Sequence, residues 1–117
     1  MRRKSRKNVG LIGLGIIGTR VAALLRSAGY NVHVWNRSPR SEPNFLGSAA
    51  EIAEACDVVQ LFVPDASALF EVIDNMLPKL GERHTILCNA TVGPVATRDG
   101  SRRVMATGAQ FLDAPFT

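Results

Sequence analysis

The chain has 117 residues, of which 46% are hydrophobic and 21% charged, a balance that belongs to a soluble globular protein of one domain. No apolar run is long enough to cross a bilayer and none follows the basic start, so neither a membrane span nor a secretory signal is read and a cytoplasmic setting is expected. The formal net charge of +4 is local: Arg2, Arg3, Lys4, Arg6 and Lys7 supply five positive charges, leaving 9 basic against 10 acidic residues, net −1, in the remainder.

Residues 1–7 therefore form a basic arm. It is short and carries no interleaved aromatics, so it reads as a disordered, solubilising tail, and nucleic acid is not expected as a partner. A strand over residues 9–12 then enters Gly10-Leu11-Ile12-Gly13-Leu14-Gly15-Ile16-Ile17-Gly18, where Gly13, Gly15 and Gly18 stand at the spacing of a dinucleotide-binding turn. Gly13 permits the tight turn, Gly15 lets backbone N–H groups approach a pyrophosphate, and Gly18 lets the following helix pack closely on the sheet with its N-terminus toward the anion. Ile17, Val21, Leu24, Leu25 and Ala28 recur at helical spacing as that helix's buried stripe, and Gly29 closes it. Glycine turns also join strands to helices that bind nothing, so the pattern gains meaning only from the segments after it.

The next segment is a strand over 31–35, in which polar and apolar residues alternate. It delivers Asn36-Arg37-Ser38 about 20 residues beyond the turn, where the adenosine ribose is read. An acidic residue there would accept from a 2′-OH; Asn36 with Arg37 offers a neutral side chain and a guanidinium suited to a 2′-phosphate. The sequence thus favours NADP over NAD.

A polar, proline-punctuated loop spans 39–46. Ser48 caps a helix running to about Cys56, with Glu51 completing a capping box. A mostly apolar strand over 58–63 ends at Pro64-Asp65, and Asp65 or Ser67 caps a helix whose inner face is Leu69, Val72, Ile73, Met76 and Leu80. A strand over 85–89, a helix opened by Pro94 and reaching Thr107 with Gly108 as its stop, and a short strand over 110–112 complete the chain. Strands alternating with crossover helices imply an α/β fold of the doubly wound Rossmann type, with a mainly parallel sheet flanked by helices.

Cys56 and Cys88 lie in apolar surroundings without metal-ligand spacing and read as buried thiols. His33 and His84 read as structural: no Ser or Asp is spaced for a triad, and no cluster of Cys, His and carboxylates indicates a metal.

Four segments together resemble one family, the β-hydroxyacid dehydrogenases, the group of 3-hydroxyisobutyrate and 6-phosphogluconate dehydrogenases. They are Gly10 to Gly18, Val34-Trp35-Asn36-Arg37-Ser38, Phe62-Val63-Pro64-Asp65 and Phe111-Leu112-Asp113-Ala114-Pro115-Phe116-Thr117. The last is similar to the start of that family's substrate-binding signature, and the likeness covers residues 8–117. It implies cofactor contacts from Gly13, Leu14, Gly15, Ile16, Ile17 and Gly18, with Asn36, Arg37 and Ser38 around the 2′-phosphate. It also implies that Val63, Pro64 and Asp65 lie near the nicotinamide ribose, Thr91 at the nicotinamide end, and Thr117 on a substrate carboxylate.

The resemblance further implies an oxidoreductase moving hydride between NADP(H) and a small hydroxy acid, or the matching aldehyde or 2-oxo acid. In that family the acid/base is a lysine of a second, helical domain, which would begin after Thr117. No catalytic residue is therefore expected in this chain, which would bind cofactor without turnover and could self-associate through a face the second domain would cover. The other readings are the cofactor domain of an imine reductase, which usually lacks Asp113-Ala114-Pro115-Phe116-Thr117, and a non-catalytic nucleotide-binding or interaction module.

Two departures from the family pattern stand out. The 39–46 segment is compressed where relatives carry a helix and a short strand. Asp99-Gly100 falls inside the last helix, where an interior glycine costs about 1 kcal/mol against alanine and predicts a loose or kinked helix.

Overall fold

Alternating burial and regularly placed helix caps organise residues 7–115, which the computed structural model describes. Five strands, β1 (Asn8–Ile12), β2 (Asn31–Trp35), β3 (Val58–Leu61), β4 (Thr85–Cys88) and β5 (Gln110–Asp113), alternate with helices α1 (Ile16–Ser27), α2 (Ala49–Ala55), α3 (Ala66–Met76) and α4 (Pro94–Met105). The expectations for Thr117 and for Arg2, Arg3, Lys4 and Arg6 fall outside the described residues.

All pairings between these strands are parallel, in the order β2-β1-β3-β4-β5. Right-handed crossovers then fix the helix layers. The step from β1 out to β2 puts α1 on one face, and the return past β1 to β3, β4 and β5 puts α2, α3 and α4 on the other. Two cores result. Leu11, Leu14, Ala22, Val32 and Val34 pack under α1, while Ile12, Ile52, Leu61, Leu69, Ile73, Met76 and Ile86 are among those under α2 to α4. Burying each such Leu, Ile or Val side chain contributes about 1.5–3 kcal/mol, so both layers are needed to hold the sheet.

The helix ends follow the sequence closely. Ser48 Oγ accepts from the Glu51 N–H at 3.2 Å, and Asp65 Oδ1 from the Ala68 N–H at 2.8 Å. Asp65, not Ser67, is thus the cap of α3. The Ser48 box is only half formed, because Glu51 Oε2 lies 3.3 Å from the Ser48 hydroxyl instead of reaching back to its backbone. Gly29, at φ +97°, ends α1 with its N–H on Arg26 O and the Tyr30 N–H on Leu25 O, the paired bonds of a left-handed terminator.

Three expectations need correction. The buried side of α1 is Gly18 and Ala22, flanked by half-buried Val21 and Leu25, whereas Ile17 and Leu24 are 49% and 69% exposed. Small residues let the helix axis approach the sheet, and the larger apolar residues are turned outward. The helix face of α3 ends at Met76, and Leu80 follows a single 3-10 turn over Leu77–Lys79. Finally, α4 is continuous through Gly100: a Cβ there would stand 3.0 Å from Ile73 Cδ1 and 3.5 Å from Leu69 Cδ2, so the glycine lets α4 lie close against α3. Arg103 adds to that contact, paired with Asp74 at 3.0 Å and stacked on Phe70.

The 39–46 loop contains no helix, as its compression implies, but it is not free. Val34 exchanges hydrogen bonds with Asn44 O and the Leu46 N–H, laying Phe45 parallel to the outer edge of β2. Arg26 ties the loop to α1 through Glu42 at 3.2 Å and the Pro43 carbonyl at 3.0 Å.

Behind α2, His84 is 1% exposed, accepts from the Gly81 N–H at Nδ1 (3.1 Å) and places Nε2 2.6 Å from the Ala53 carbonyl. With Nδ1 accepting, Nε2 is the donor, and the ring closes the end of α2 beside Arg83, which donates to the Ala53 and Glu54 carbonyls and pairs with Asp57. His84→Ala leaves the part-buried Gly81 N–H without its acceptor, takes one of two donors from the Ala53 carbonyl and opens a cavity. We expect it to cost about 2–4 kcal/mol, read as a lowered urea midpoint.

Both cysteines are buried. Burial, reinforced by Asp57 and partly offset by Arg83, pushes the Cys56 thiol from its ordinary 9.0 up to about 12. The folded chain holds that proton where the unfolded chain releases it, so stability is unaffected below about pH 9 and falls as pH rises toward 12. Alkaline denaturation followed by circular dichroism is expected to be less steep in Cys56→Ala than in the wild type across that window.

Candidate functional site

The order of the strands reverses beside β1, and open α/β sheets bind ligands in the crevice at the carboxyl ends of the strands flanking such a reversal. Here the crevice has two lobes. One, of about 470 Å³, is lined by Gly13, Leu14, Gly15, Trp35, Asn36, Arg37, Ser38, Arg40, Val63, Pro64, Asp65, Ser67 and Glu71, among others. The second, of about 380 Å³, is lined by Gly15, Ile16, Ile17, Gly18, Phe62, Val63, Asn89, Ala90 and Thr91. Gly15, Phe62 and Val63 border both lobes, so a long ligand laid across Gly15 would reach from Arg37 to Thr91.

The three glycines of the turn do different work. Gly13 has φ +101°, and a Cβ on it would meet the Phe62 carbonyl oxygen at 2.1 Å. A Cβ on Gly18 would meet the Gly13 carbonyl oxygen at the same distance. Gly15 is different: its φ of −77° is open to any residue, and nothing lies within 4 Å of where a Cβ would stand. The protein gains nothing internal from that glycine. What it keeps there is bare backbone facing open space at the start of α1, a helix with no side-chain cap and no acidic residue in its first turn. That is the arrangement an incoming phosphate requires, because the first N–H groups of the helix remain available to it.

Asn36 serves the turn itself. Its Oδ1 accepts from the Leu14 N–H at 2.8 Å and its Nδ2 donates to the Ser38 carbonyl at 2.9 Å. Both polar atoms thus brace the glycine turn against the end of β2, and Asn36, expected beside a 2′-phosphate, lines the first lobe. Arg37 does project at the rim, 68% exposed and paired with Glu71 of α3. Ser38 and Pro64 are exposed beside it. Val63 is buried at the junction of the lobes, and Asp65 is committed to capping α3. Thr91 lies in the second lobe with Ile16 and Ile17.

Several lining residues had no role assigned from sequence. Arg40 could have been found as a second guanidinium three residues after Arg37. Glu71 had no such signal, since it is 34 positions from Arg37 in the chain and meets it only when α3 packs on the sheet. Asn89 donates to the Ala114 carbonyl at 2.9 Å, fixing the Asp113-Ala114-Pro115 segment beside the second lobe. Among the described residues no group of three His, Cys, Asp or Glu side chains could hold a metal, and no helix is long and apolar enough to cross a membrane.

A parallel sheet reversing at a glycine turn, with an uncapped helix start and basic residues past β2, defines a dinucleotide-binding Rossmann domain. The chain belongs to the family of the NAD-binding domain of 6-phosphogluconate dehydrogenase, whose profile matches residues 8–117. It is 34% identical over 116 residues to a 2-hydroxy-3-oxopropionate reductase of Escherichia coli (strain K12), covering 92% of this chain and 40% of the reductase. Among solved structures it is similar to a 3-hydroxyisobutyrate dehydrogenase of Mycobacterium tuberculosis (TM-score 0.90, 21% identity, 97% of this chain and 41% of that one). An imine reductase from Pseudomonas sp. also superimposes, with TM-score 0.85 and 24% identity over 93% of this chain and 41% of that one. At these identities the structural likeness shows the fold alone. The chain spans about two fifths of the length of these proteins.

Because a Cβ on Gly15 would touch nothing of its own protein, Gly15→Ala is expected to keep thermal stability within about 1 kcal/mol of the wild type. The same change is expected to weaken 5′-ADP binding at least about tenfold, since a methyl group would stand where a phosphate held on the start of α1 would approach the backbone. Trp35 lines the first lobe and is the chain's one tryptophan, so fluorescence titration reads the binding directly.

Proposed function

We propose that this domain binds NADP(H) in preference to NAD(H), as the cofactor-binding part of an oxidoreductase acting on a small 3-hydroxy acid, or on the matching aldehyde or 2-oxo acid. The observation that carries the proposal is the placement of Arg37 at the rim of the first lobe, past the end of β2, with Arg40 lining the same cleft and no acidic side chain at the three positions after the strand. A guanidinium there matches a 2′-phosphate by charge and by hydrogen-bond geometry, whereas NAD selection calls for a carboxylate.

In this reading Gly13, Leu14, Gly15, Ile16, Ile17 and Gly18 hold the pyrophosphate on the start of α1. Arg37 and Ser38 take the 2′-phosphate, and Asn36 keeps the turn in shape. Val63, Pro64 and Asp65 border the nicotinamide ribose, and Thr91 stands at the reactive end. When bound, the nicotinamide supplies or accepts the hydride. The chain itself orients that ring and excludes water from one side of it with Ile16, Ile17 and Val63. Thr117 is proposed for the substrate carboxylate.

The proton donor and most of the substrate pocket are proposed to come from a further domain, so that this chain alone binds cofactor without turnover. Two features support that division. On the α1 side no described helix covers β4 and β5, where Leu112 is 51% exposed. The apolar residues Ile16 and Leu24 of α1 are 77% and 69% exposed, which also supports self-association of the isolated chain. The name of the Escherichia coli relative, a reductase of a small oxo acid, supports the substrate class.

Calorimetric titration of the wild type and Arg37→Ala with NADPH and NADH tests the cofactor. We expect NADPH to bind the wild type more tightly than NADH, and Arg37→Ala to weaken NADPH at least about tenfold while changing NADH by less than about twofold. Equal binding of the two cofactors to the wild type would count against the NADP preference.

A further inference from the structure

Two carboxylates line the first lobe, and they are not equivalent. Asp65 is bound into the cap of α3. Glu71, one and a half turns further along the same helix, reaches across the cleft and accepts a hydrogen bond from Nη2 of Arg37. The pair therefore spans the lobe from the end of β2 to α3, at the point where the ribose would lie. Both partners are more than half exposed, at 68% and 58%, so the pair adds little to the stability of the fold and opens easily. Arg40 borders the same lobe and makes no ion pair with any described residue.

We propose that Glu71 is a specificity-determining residue: it competes with the ribose 2′-phosphate for Arg37 and so narrows the preference of this cleft for NADP over NAD. This role rests on the reading of the cleft as an NADP site. A 2′-phosphate can take Arg37 only by displacing the Glu71 carboxylate, and it then stands as a second anion close to the first. A 2′-hydroxyl carries no charge and leaves the pair intact. Arg40, without a carboxylate partner among the described residues, supplies the cation that remains with the phosphate while Arg37 is exchanged. Glu71 thus acts against one cofactor without contributing to the other, as specificity built by an unfavourable contact does.

The test uses two ligands that differ only at the ribose 2′ position, 2′,5′-ADP and 5′-AMP, titrated by Trp35 fluorescence and calorimetry into the wild type, Glu71→Gln, Arg37→Ala and the double variant. Glu71→Gln is expected to tighten 2′,5′-ADP by about three- to tenfold and to change 5′-AMP by less than about twofold. In the Arg37→Ala background the same substitution is expected to have less than about half that effect on a logarithmic scale, because the competed group is gone. All substituted side chains are exposed, and thermal unfolding of each variant checks that the fold is kept. If the wild type discriminates between the ligands through Arg37 but Glu71→Gln leaves the ratio unchanged or lowers it, the role of Glu71 is overturned and the NADP reading stands. An undiminished effect of Glu71→Gln without Arg37 overturns the competition likewise. If all four proteins bind the two ligands equally, the NADP reading falls, and the role of Glu71 with it.

Discussion

The carbonyl of Phe62 lies where a side chain on Gly13 would have to stand, and from that contact the geometry of the crevice follows. The end of β1 is clamped on both sides: the Gly13 N–H donates to the Trp35 carbonyl at 3.0 Å, and the Ile12 carbonyl accepts from the Phe62 N–H at 2.7 Å. The chain must then turn out of the sheet with φ positive, and Asn36 catches it by accepting from the Leu14 N–H. Gly18 closes the other side, its Cα pressed on the Gly13 carbonyl. The start of α1 is thus fixed from β2, β3 and its own first turn. Any side chain at Gly13 or Gly18 would move the helix away from the strands and separate the two lobes.

Around that fixed point the molecule divides its labour between rigid and adjustable parts. The strand ends and the turn are held by backbone hydrogen bonds and close packing, which leave little freedom. The rim is held by long exposed side chains, Arg37 on Glu71, and such a pair contributes little to stability. A rim of this kind can exchange partners when a charged ligand arrives, while the glycine turn stays as it is. The segment running from the end of β2 to Leu46 belongs to both classes, since its backbone is bonded to Val34 while Arg37 and Arg40 border the cleft from its start.

Where sequence and structure diverge, the cause is packing that no local pattern records. The helical period of α1 is correct, yet the face turned to the sheet is the one with Gly18 and Ala22, because close approach is worth more here than burying Ile17 and Leu24. Gly100 reads locally as a weak point in α4 and is instead the place where α4 meets Ile73 and Leu69. Asn36 reads as a ligand-facing polar residue and, besides lining the first lobe, braces the turn. In each case a small or polar residue has a partner distant in the chain.

Strand and helix order, the helix ends marked by Ser48, Asp65, Gly29 and Pro94, the glycine turn and the guanidinium after β2 are all determined by the sequence itself. They depend on periodicity, backbone freedom and short-range hydrogen bonding, which act over a few residues. The tertiary structure alone decided that Glu71 stands opposite Arg37, that Asn89 holds the Ala114 segment beside the second lobe, that His84 closes α2, and which side of α1 is buried. Those relations join residues up to tens of positions apart, and they exist only once right-handed crossovers have laid the helices on their faces of the sheet.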